Sequence, residues 1–181
     1  MRAPLVAIAA AACMSNALAQ SPAPQAEPLA RQTTSFDLVA HLPLALAAPL
    51  FGPLGERAWA GNHWNPEFIY PQPGNDEHGA VFSVHHGSLT ATWVCTQFDL
   101  DARHFQYLYF LSALMITMID VRFKSINENT TGVNVVYNRT AIASDGNAHV
   151  AAMGDGNKKA GTEWQQAIDE YVAKAAPAPK P

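Results

Sequence analysis

The chain has 181 residues, of which 49% are hydrophobic and 14% charged, and its formal net charge is −4 at pH 7. This composition is ordinary for a single globular domain, so no second domain is required. No cluster of basic residues occurs in the sequence, which argues against a protein that binds nucleic acids or anionic membranes.

The first twenty residues, MRAPLVAIAAAACMSNALAQ, have the pattern of a bacterial secretory signal peptide. Arg2 precedes an apolar run that ends at about Cys13, and the small-residue site Ala17-Leu18-Ala19 follows. This run is too short to span a membrane, so we expect cleavage after Ala19, a periplasmic or secreted protein, and no stable membrane insertion. An alternative interpretation makes Cys13 a lipoprotein site, although Ala10 stands where a larger aliphatic residue is usual.

Cleavage would remove Cys13 and leave Cys95 as the single cysteine, so no intramolecular disulfide is expected. The chain then divides into a signal peptide at 1–19, a disordered Ala/Pro-rich linker at 20–32, a folded domain at 33–175 and a disordered tail at 176–181.

The folded domain is predicted to begin with one strand, SFDLVAHLP, which Pro43 ends. PLALAAPLF predicts a short helix broken by Pro49, and a second short helix is predicted at the start of the Gly-, Pro- and Trp-rich stretch 52–71. Five β-rich segments with short links then indicate an antiparallel meander. The first strand and the Tyr70 region would bring the sheet to about six or seven strands.

The last segment has the apolar periodicity of one long helix. The residues of one mostly apolar stripe recur at spacings of three and four: Val150, Met153, Asn157, Ala160, Trp164, Ala167, Ile168, Tyr171 and Val172. Gly154 and Gly156 each disfavour a helix by about 1 kcal/mol relative to Ala, so the helix is expected to start near Asn157 or to kink there. The predicted class is α+β, a curved antiparallel sheet covered by one helix, with space for a ligand between them.

Several motifs resemble those of the START-like superfamily, also called Bet v 1-like or SRPBCC (polyketide cyclase/lipid transport). They are Gly52-Pro-Leu-Gly-Glu-Arg57 with Trp59, Trp64-Asn-Pro66, Tyr70-Pro71, Tyr137-Asn-Arg-Thr140-Ala141, and Gly146-Asn147 before the long helix. His63 and Ile142-Ala143 depart from the bacterial subgroup that the pattern resembles most. The resemblance implies a helix-grip fold with a hydrophobic ligand cavity and no catalytic residues shared across the superfamily.

The candidate ligand-binding residues are the aromatic and apolar side chains expected near that cavity, since such side chains line most ligand pockets. They are Trp59, Trp64, Tyr70, Trp93, Tyr107, Tyr137, Met153 and Trp164. For Trp59 and Trp64, packing of a buried corner is an equal alternative.

Three titratable residues are weak candidates for catalysis: Glu56, His85 and Arg139. Glu56 would act as a general base if an apolar cavity raised its pKa, but a structural role for Glu56 and Arg57 is favoured, with Glu56 capping a helical turn or Arg57 holding a loop carbonyl. His85 would face the pocket if Val81 and Ser83 do.

The strand that contains Asp120, Arg122 and Lys124 leaves two interpretations open. We group these residues with Tyr137 and Arg139 of a later strand, and the pattern favours a solvated cross-strand charge ladder. If the face instead points inward, Arg139 or Asp120 would orient a ligand's carboxylate or hydroxyl.

No metal and no cofactor are expected, because the histidines and Cys95 form no fixed-spacing ligand motif. Cys95 is expected to be a small buried residue.

We therefore expect an exported protein that binds a small hydrophobic or amphipathic molecule. The alternative is a polyketide-cyclase-like lyase or isomerase acting on a bound aromatic or polyketide-type substrate, and a weaker one is a protein-interaction module using the loop PQPGNDEHG.

Overall fold

The computed structural model describes residues 27–175, which form one antiparallel sheet, several short helical turns and one long helix. The strands are β1 Arg31–Ala40, β2 Glu67–Tyr70, β3 Val81–His86, β4 Leu89–Asp99, β5 His104–Leu111, β6 Met115–Asn127 and β7 Thr130–Ala141. The helices are α1 Leu44–Ala47, two 3-10 helices at Ala48–Phe51 and Gly55–Ala58, and α2 Gly146–Ala175. The signal peptide, the lipoprotein alternative at Cys13, most of the expected linker and the tail lie outside the described residues.

The seven strands form a single curved sheet in the order β1-β7-β6-β5-β4-β3-β2. Strands β2 to β7 pair with their neighbours in the chain, while β1 crosses to the far edge and pairs with β7. Every pairing is antiparallel, as the short links between the β-rich segments predict. The predicted α+β helix-grip arrangement is confirmed.

The concave face of the sheet carries the core because apolar residues alternate with polar ones along each strand. In β6 the buried positions are the odd-numbered ones, including Thr117, Ile119, Val121 and Phe123. Phe105 of β5 lies between Phe98 and Phe123, at ring-centroid distances of 4.0 and 4.9 Å. Aromatic contacts of this kind across neighbouring strands stabilise one register of the sheet.

The terminal helix begins earlier than the sequence predicts. Gly146 to Ala175 is one continuous helix, so the expected start near Asn157 is wrong. Gly154 lies where the helix packs against β1, and a Cβ atom there would come within 1.8 Å of the Gln32 side-chain oxygen. The close approach of helix and sheet therefore outweighs the low helix propensity of this glycine.

Two other boundaries also differ from the sequence predictions. The first strand begins at Arg31, because Arg31 pairs with Thr140 and Gln32 with Arg139, so the expected linker ends two residues too late. The α-helix ends at Ala47, before Pro49 as predicted, but the chain continues as a 3-10 helix that carries this proline in its first turn, where no N–H is needed. Among residues 27–175, no helix has the length and apolar character needed to cross a membrane.

Candidate functional site

The first of two cavities lies between the concave face of the sheet, the segment 53–64 and the C-terminal half of α2. Its volume is about 350 Å³, within the range of small-molecule sites. It is lined by Pro53, Glu56, Trp59, Ala60, His63, Trp64, Phe82, His86, Trp93, Tyr107, Ile119, Val121, Tyr137, Glu163, Trp164 and Ala167. All four tryptophans of the chain are in this wall.

Close backbone packing holds the segment 52–58 at the edge of this cavity. A Cβ atom at Gly55 would lie 1.9 Å from the carbonyl oxygen of Pro49, so only glycine fits there. The carboxylate of Asp76 accepts hydrogen bonds from the backbone N–H groups of Leu54 (2.8 Å) and Gly55 (3.3 Å). Asp76, and not Glu56, therefore caps the start of the 3-10 helix Gly55–Ala58.

Three aromatic side chains of the wall donate hydrogen bonds to main-chain carbonyls of the segment 50–53. Trp59 Nε1 donates to Leu50 O at 2.7 Å, Trp64 Nε1 to Pro53 O at 2.9 Å, and the Tyr107 hydroxyl to Phe51 O at 3.0 Å. The N–H or O–H group of each side chain is therefore hydrogen-bonded within the protein, and the ring faces form the part of the wall that a ligand can contact.

Glu56 and Arg57 do not form an ion pair with each other. The Arg57 guanidinium donates to the carbonyl of Pro66, which is the loop-holding role expected for it. Glu56 turns toward the cavity, and its carboxylate makes no hydrogen bond within the described residues. Burial, and then the charge of Asp76, raises the pKa of Glu56 well above its usual range.

A second cavity of about 320 Å³ adjoins the first, nearer the N-terminal half of α2. It is lined by His86, Trp93, Tyr109, Thr117, Ile119, Tyr137, Arg139, Met153, Gly156 and Asn157. His86, Trp93, Ile119 and Tyr137 belong to both cavities. The two groups of α2 residues are about ten residues apart, which corresponds to roughly 15 Å along the helix axis.

Arg139 is the main cationic group of this second cavity, and only 3% of its surface is exposed. Its guanidinium donates to Thr34 Oγ1 at 2.8 Å and to Asn157 Oδ1 at 3.1 Å, and it lies 4.5 Å from the ring centre of Tyr137. Within residues 27–175, no carboxylate lies within ion-pair distance of it. Burial lowers its pKa, and the nearby tyrosines Tyr137 and Tyr109 act in the opposite direction.

Comparison with known proteins finds similarity in structure alone. No protein-family model and no curated protein sequence matches the chain. Norcoclaurine synthase from Thalictrum flavum, in complex with dopamine and hydroxybenzaldehyde, is similar with a TM-score of 0.59 at 9% identity, over 83% of this chain and 91% of that one. Ara h 8.0201 is similar with a TM-score of 0.57 at 14% identity, over 80% and 99%. CalU16 from Micromonospora echinospora is similar with a TM-score of 0.52 at 12% identity, over 86% and 88%.

These three proteins are members of the Bet v 1-like fold. The chain has the Bet v 1-like fold. The START-like resemblance predicted from the sequence motifs is therefore confirmed as a fold, and at such low identities it says nothing about the reaction or the ligand.

Most of the aromatic residues predicted for ligand binding line the cavities of this Bet v 1-like fold. Trp59, Trp64, Trp93, Tyr107, Tyr137 and Trp164 line the first cavity, and Met153 lines the second. Tyr70 does not: it lies near the end of β2, an edge strand, and is 58% exposed. That these side chains contact a ligand stays a prediction.

The conditional prediction for His85 is wrong, because Phe82 and Val84 face the core in β3, and not Val81 and Ser83. His85 therefore points outward, where its Nδ1 is 3.0 Å from Thr90 Oγ1 and its Nε2 is 3.7 Å from Glu67. The neighbouring His86 lines both cavities instead. Burial, followed by the charges of His63 and His85, lowers the pKa of His86.

The grouping of Asp120, Arg122 and Lys124 with Tyr137 and Arg139 is also wrong. In the register of β6 and β7, Thr117 faces Arg139 and Ile119 faces Tyr137, so the even-numbered residues of β6 lie on the opposite, convex face. Asp120 there contacts His104 and lies 3.7 Å from Arg122. Asp120, Arg122 and Lys124 therefore lie on the convex face, and Arg139 faces the cavity.

Sequence reasoning missed Tyr109, Thr117 and Asn157. Alternation would have identified the first two, since Tyr109 shares a face with Tyr107 on β5, and Thr117 shares one with Ile119 on β6. Asn157 is on the predicted apolar stripe of the helix. A polar residue in such a stripe could have indicated a polar contact in the cavity.

Among the described residues 27–175, no three His, Cys, Asp or Glu side chains are grouped so that they could hold a metal ion. Cys95 is fully buried, and its Sγ lies 3.4 Å from Gln97 O. Burial raises the pKa of this thiol to about 12, partly offset by the Gln97 hydrogen bond.

Proposed function

We propose that this protein is exported and binds a small hydrophobic or amphipathic molecule between the sheet and α2, as a carrier, sensor or scavenger. The observation that supports this function best is the gathering of all four tryptophans around one cavity of about 350 Å³. Three of their neighbours in the wall, Phe82, Tyr107 and Tyr137, add further aromatic surface. Such a wall is suited to apolar and aromatic ligands.

The fold is compatible with this proposal. Norcoclaurine synthase, which has the same fold, has been solved with dopamine and hydroxybenzaldehyde bound, so a helix-grip domain of this size has room for small aromatic molecules. The identity of 9% carries neither that ligand nor that reaction to this chain.

The binding proposal can be tested with N-phenyl-1-naphthylamine, a neutral apolar probe that accepts energy from tryptophan. We expect it to quench the tryptophan fluorescence and to gain emission of its own, because all four donors surround the cavity. Ala167→Phe would fill the first cavity from α2 and should abolish the signal.

Ala173→Phe is the matched control for this experiment, since Ala173 is exposed on the same helix. It should bind the probe like the original chain. Melting curves of both variants would test whether the helix still packs against the sheet. Equal probe binding by Ala167→Phe and Ala173→Phe would contradict the assignment of the cavity as the ligand site.

The export proposal rests on the signal-like segment that ends at Ala17-Leu18-Ala19. Full-length chain produced in a Gram-negative host should be recovered from the periplasm or the medium with Gln20 as its first residue, as measured by intact mass. Ala19→Arg should block cleavage, since a large charged residue does not fit a small-residue site. A lipid-modified Cys13 at the N-terminus would contradict cleavage after Ala19.

An enzyme is the second candidate function, because Glu56 places a carboxyl group of raised pKa in the cavity wall. A carboxyl group with a raised pKa suits general acid–base chemistry on a bound aromatic substrate. No hydrogen bond joins two titratable side chains of the first cavity within the described residues, and this favours binding over catalysis.

The enzyme candidate predicts proton exchange in a bound aromatic ketone. Deuterium incorporation next to the carbonyl of 2-tetralone, followed by NMR, should be faster with the original chain than with Glu56→Gln. Glu163→Gln is the control, since Glu163 is an exposed carboxylate at the cavity rim. Equal rates for the original chain and Glu56→Gln would exclude this role for Glu56.

A further inference from the structure

The concave face of the sheet carries a row of five polar side chains that are cross-strand neighbours. From β1 to β4 they are Gln32, Arg139, Thr117, Tyr109 and Trp93, and each is paired in register with the next. The row therefore crosses five adjacent strands in a straight line, perpendicular to the strands.

Each member of this row has a buried polar atom without a hydrogen-bond partner in the described part of the chain. The atoms are Gln32 Oε1, Arg139 Nε, Thr117 Oγ1, Tyr109 Oη and Trp93 Nε1. They are all the buried unpartnered side-chain atoms found in residues 27–175, and four of the five residues line the second cavity. Buried polar groups in folded proteins are nearly always paired, so five exceptions in one row require a common explanation.

Four of the five atoms can donate to an anion with several acceptor oxygens, whereas Gln32 Oε1 can only accept and does not line the second cavity. Arg139 Nε and Trp93 Nε1 can only donate, while the hydroxyls of Tyr109 and Thr117 can donate as well as accept. Arg139 adds a positive charge, and only 3% of its surface is exposed. The lining of the second cavity contains no Asp or Glu. A buried cation without an anion is costly, and a ligand carboxylate would offset that cost.

The helix above the row leaves room for such a group. Gly156 lines the second cavity, and a Cβ atom there would have nothing within 4 Å. Glycine in a helix interior costs about 1 kcal/mol relative to Ala, and at this position no close contact requires it. The missing side chain enlarges the cavity opposite the row.

Resting on the proposed binding function, we propose that the ligand is an amphipathic carboxylic acid whose carboxylate binds in the second cavity to Arg139, Thr117 and Tyr109. Its apolar body extends into the first cavity, among the tryptophans. The roughly 15 Å between the two groups of α2 residues that line the cavities suits a ligand of about ten carbon atoms or its aromatic equivalent.

The proposal is tested with three molecules that differ only in the head group: decanoate, 1-decanol and decylamine, each titrated into the purified full-length chain by calorimetry. We expect decanoate to bind about tenfold more tightly than 1-decanol, and decylamine to bind most weakly, because hydrogen bonds to ionised groups are the strong ones. Arg139→Gln should lose about tenfold in decanoate affinity and change decanol affinity by less than about twofold. Arg139→Lys, which keeps the charge, should recover part of the loss.

Arg122→Gln is the matched control, because Arg122 lies on the neighbouring strand β6 but on the convex face, with its side chain 62% exposed. It should bind all three molecules like the original chain. Thermal melting without ligand separates binding from structure: Arg139→Gln should melt at or above the temperature of the original chain, since it removes an unpaired buried charge.

The two proposals fail in different ways. If decanol binds as tightly as decanoate and Arg139→Gln weakens neither, the carboxylate site is wrong and the binding function stands. If none of the three molecules binds, while N-phenyl-1-naphthylamine does not bind either, both proposals are wrong. A strong drop in melting temperature for Arg139→Gln, with equal affinity changes for decanoate and decanol, would make Arg139 a structural residue.

Discussion

The two cavities differ in whether the polar atoms of their walls have hydrogen-bond partners within the protein. Around the first cavity, Trp59, Trp64 and Tyr107 donate to the carbonyls of Leu50, Pro53 and Phe51. Around the second, Trp93 Nε1, Tyr109 Oη, Thr117 Oγ1 and Arg139 Nε have no partner in residues 27–175, although the other two guanidinium nitrogens of Arg139 donate to Thr34 and Asn157. The side chains are of similar types in both places, so amino-acid composition does not explain the difference.

The difference separates a polar group that serves the fold from one that is available to a ligand. In the first region the hydrogen bonds hold the segment 50–64 against the sheet and leave an apolar surface. In the second region, the unpartnered atoms of Trp93, Tyr109, Thr117 and Arg139 keep their hydrogen-bonding capacity. A buried group with unused capacity lowers stability, and proteins often retain such groups where they bind ligands.

The largest expected effect concerns the close packing of the first region. Gly55→Ala would place a methyl carbon 1.9 Å from Pro49 O, a backbone atom that cannot move alone, and should lower the free energy of unfolding by about 3 kcal/mol or more. In the second region, the added methyl carbon of Gly156→Ala would have no atom within 4 Å, and this substitution should raise the free energy of unfolding by about 0.5–1 kcal/mol. Urea denaturation followed by circular dichroism measures both. Similar small effects at the two sites would show that the first region is not closely packed.

The hydrogen bonds are compared by removing one hydroxyl from each region. Tyr107 and Tyr109 lie on the same strand, both point inward, and both are 4% exposed. Tyr107→Phe leaves Phe51 O without its donor and should cost about 1–2 kcal/mol of unfolding free energy. Tyr109→Phe removes an unpartnered hydroxyl and should change stability by less than about 0.5 kcal/mol. Equal losses in the two variants would remove the distinction between the regions.

Glu56 is the exception in the first region, a carboxyl group that the fold does not pair. Its pKa is raised in the folded state by burial and then by Asp76, so the folded chain binds its proton more tightly than the unfolded chain does. Stability should therefore fall as the pH rises above the unfolded pKa of about 4.3, by at most about 1.4 kcal/mol for each pH unit, until the raised pKa is reached.

Glu56→Gln should flatten this part of the curve and make the variant the more stable protein at pH 8. Urea midpoints between pH 5 and 8 measure the dependence of stability on pH, with Glu163→Gln as the exposed control. Burial also raises the pKa of Asp76, with hydrogen bonds from Leu54 and Gly55 opposing it, so part of the slope should remain. A variant whose slope equals that of the original chain would show that Glu56 is ionised in the fold.

The fold could be predicted from the sequence because its signals are repeated along the chain. Alternation in five consecutive segments identifies the meander, and the stripe from Val150 to Val172 identifies the covering helix. The start of that helix could not be predicted, because Gly154 disfavours a helix locally while its contact with Gln32 depends on the tertiary packing.

The candidate site could be predicted only in part. The tryptophans were identifiable because large aromatic residues gather where a sheet and a helix leave space. The expectation for His85 and the grouping of Arg139 with Asp120 were wrong because both depend on which face of a strand is concave, and a one-residue change of parity reverses every side chain. Tyr70 lines neither cavity because it lies at the end of the edge strand β2. The unpartnered row depends on register across five strands, which no single segment encodes.

A comparison of two threonines tests the row without changing charge or shape. Thr117 and Thr131 are both nearly fully buried on β6 and β7, at 2% and 0% exposure. Thr131 Oγ1 donates to Leu42 O at 2.9 Å, whereas Thr117 Oγ1 has no partner in the described chain. Valine has nearly the same shape as threonine, so each substitution changes one hydroxyl to a methyl group.

Thr131→Val should cost about 1–2 kcal/mol of unfolding free energy, because it leaves the part-buried carbonyl of Leu42 without this donor. Thr117→Val should be neutral or raise it by up to about 1 kcal/mol, because it buries a methyl group where an unpaired hydroxyl stood. Chemical denaturation of the two variants in parallel measures the difference, and a clear loss of stability in Thr117→Val would mean that its hydroxyl is bound within the fold and not free for a ligand.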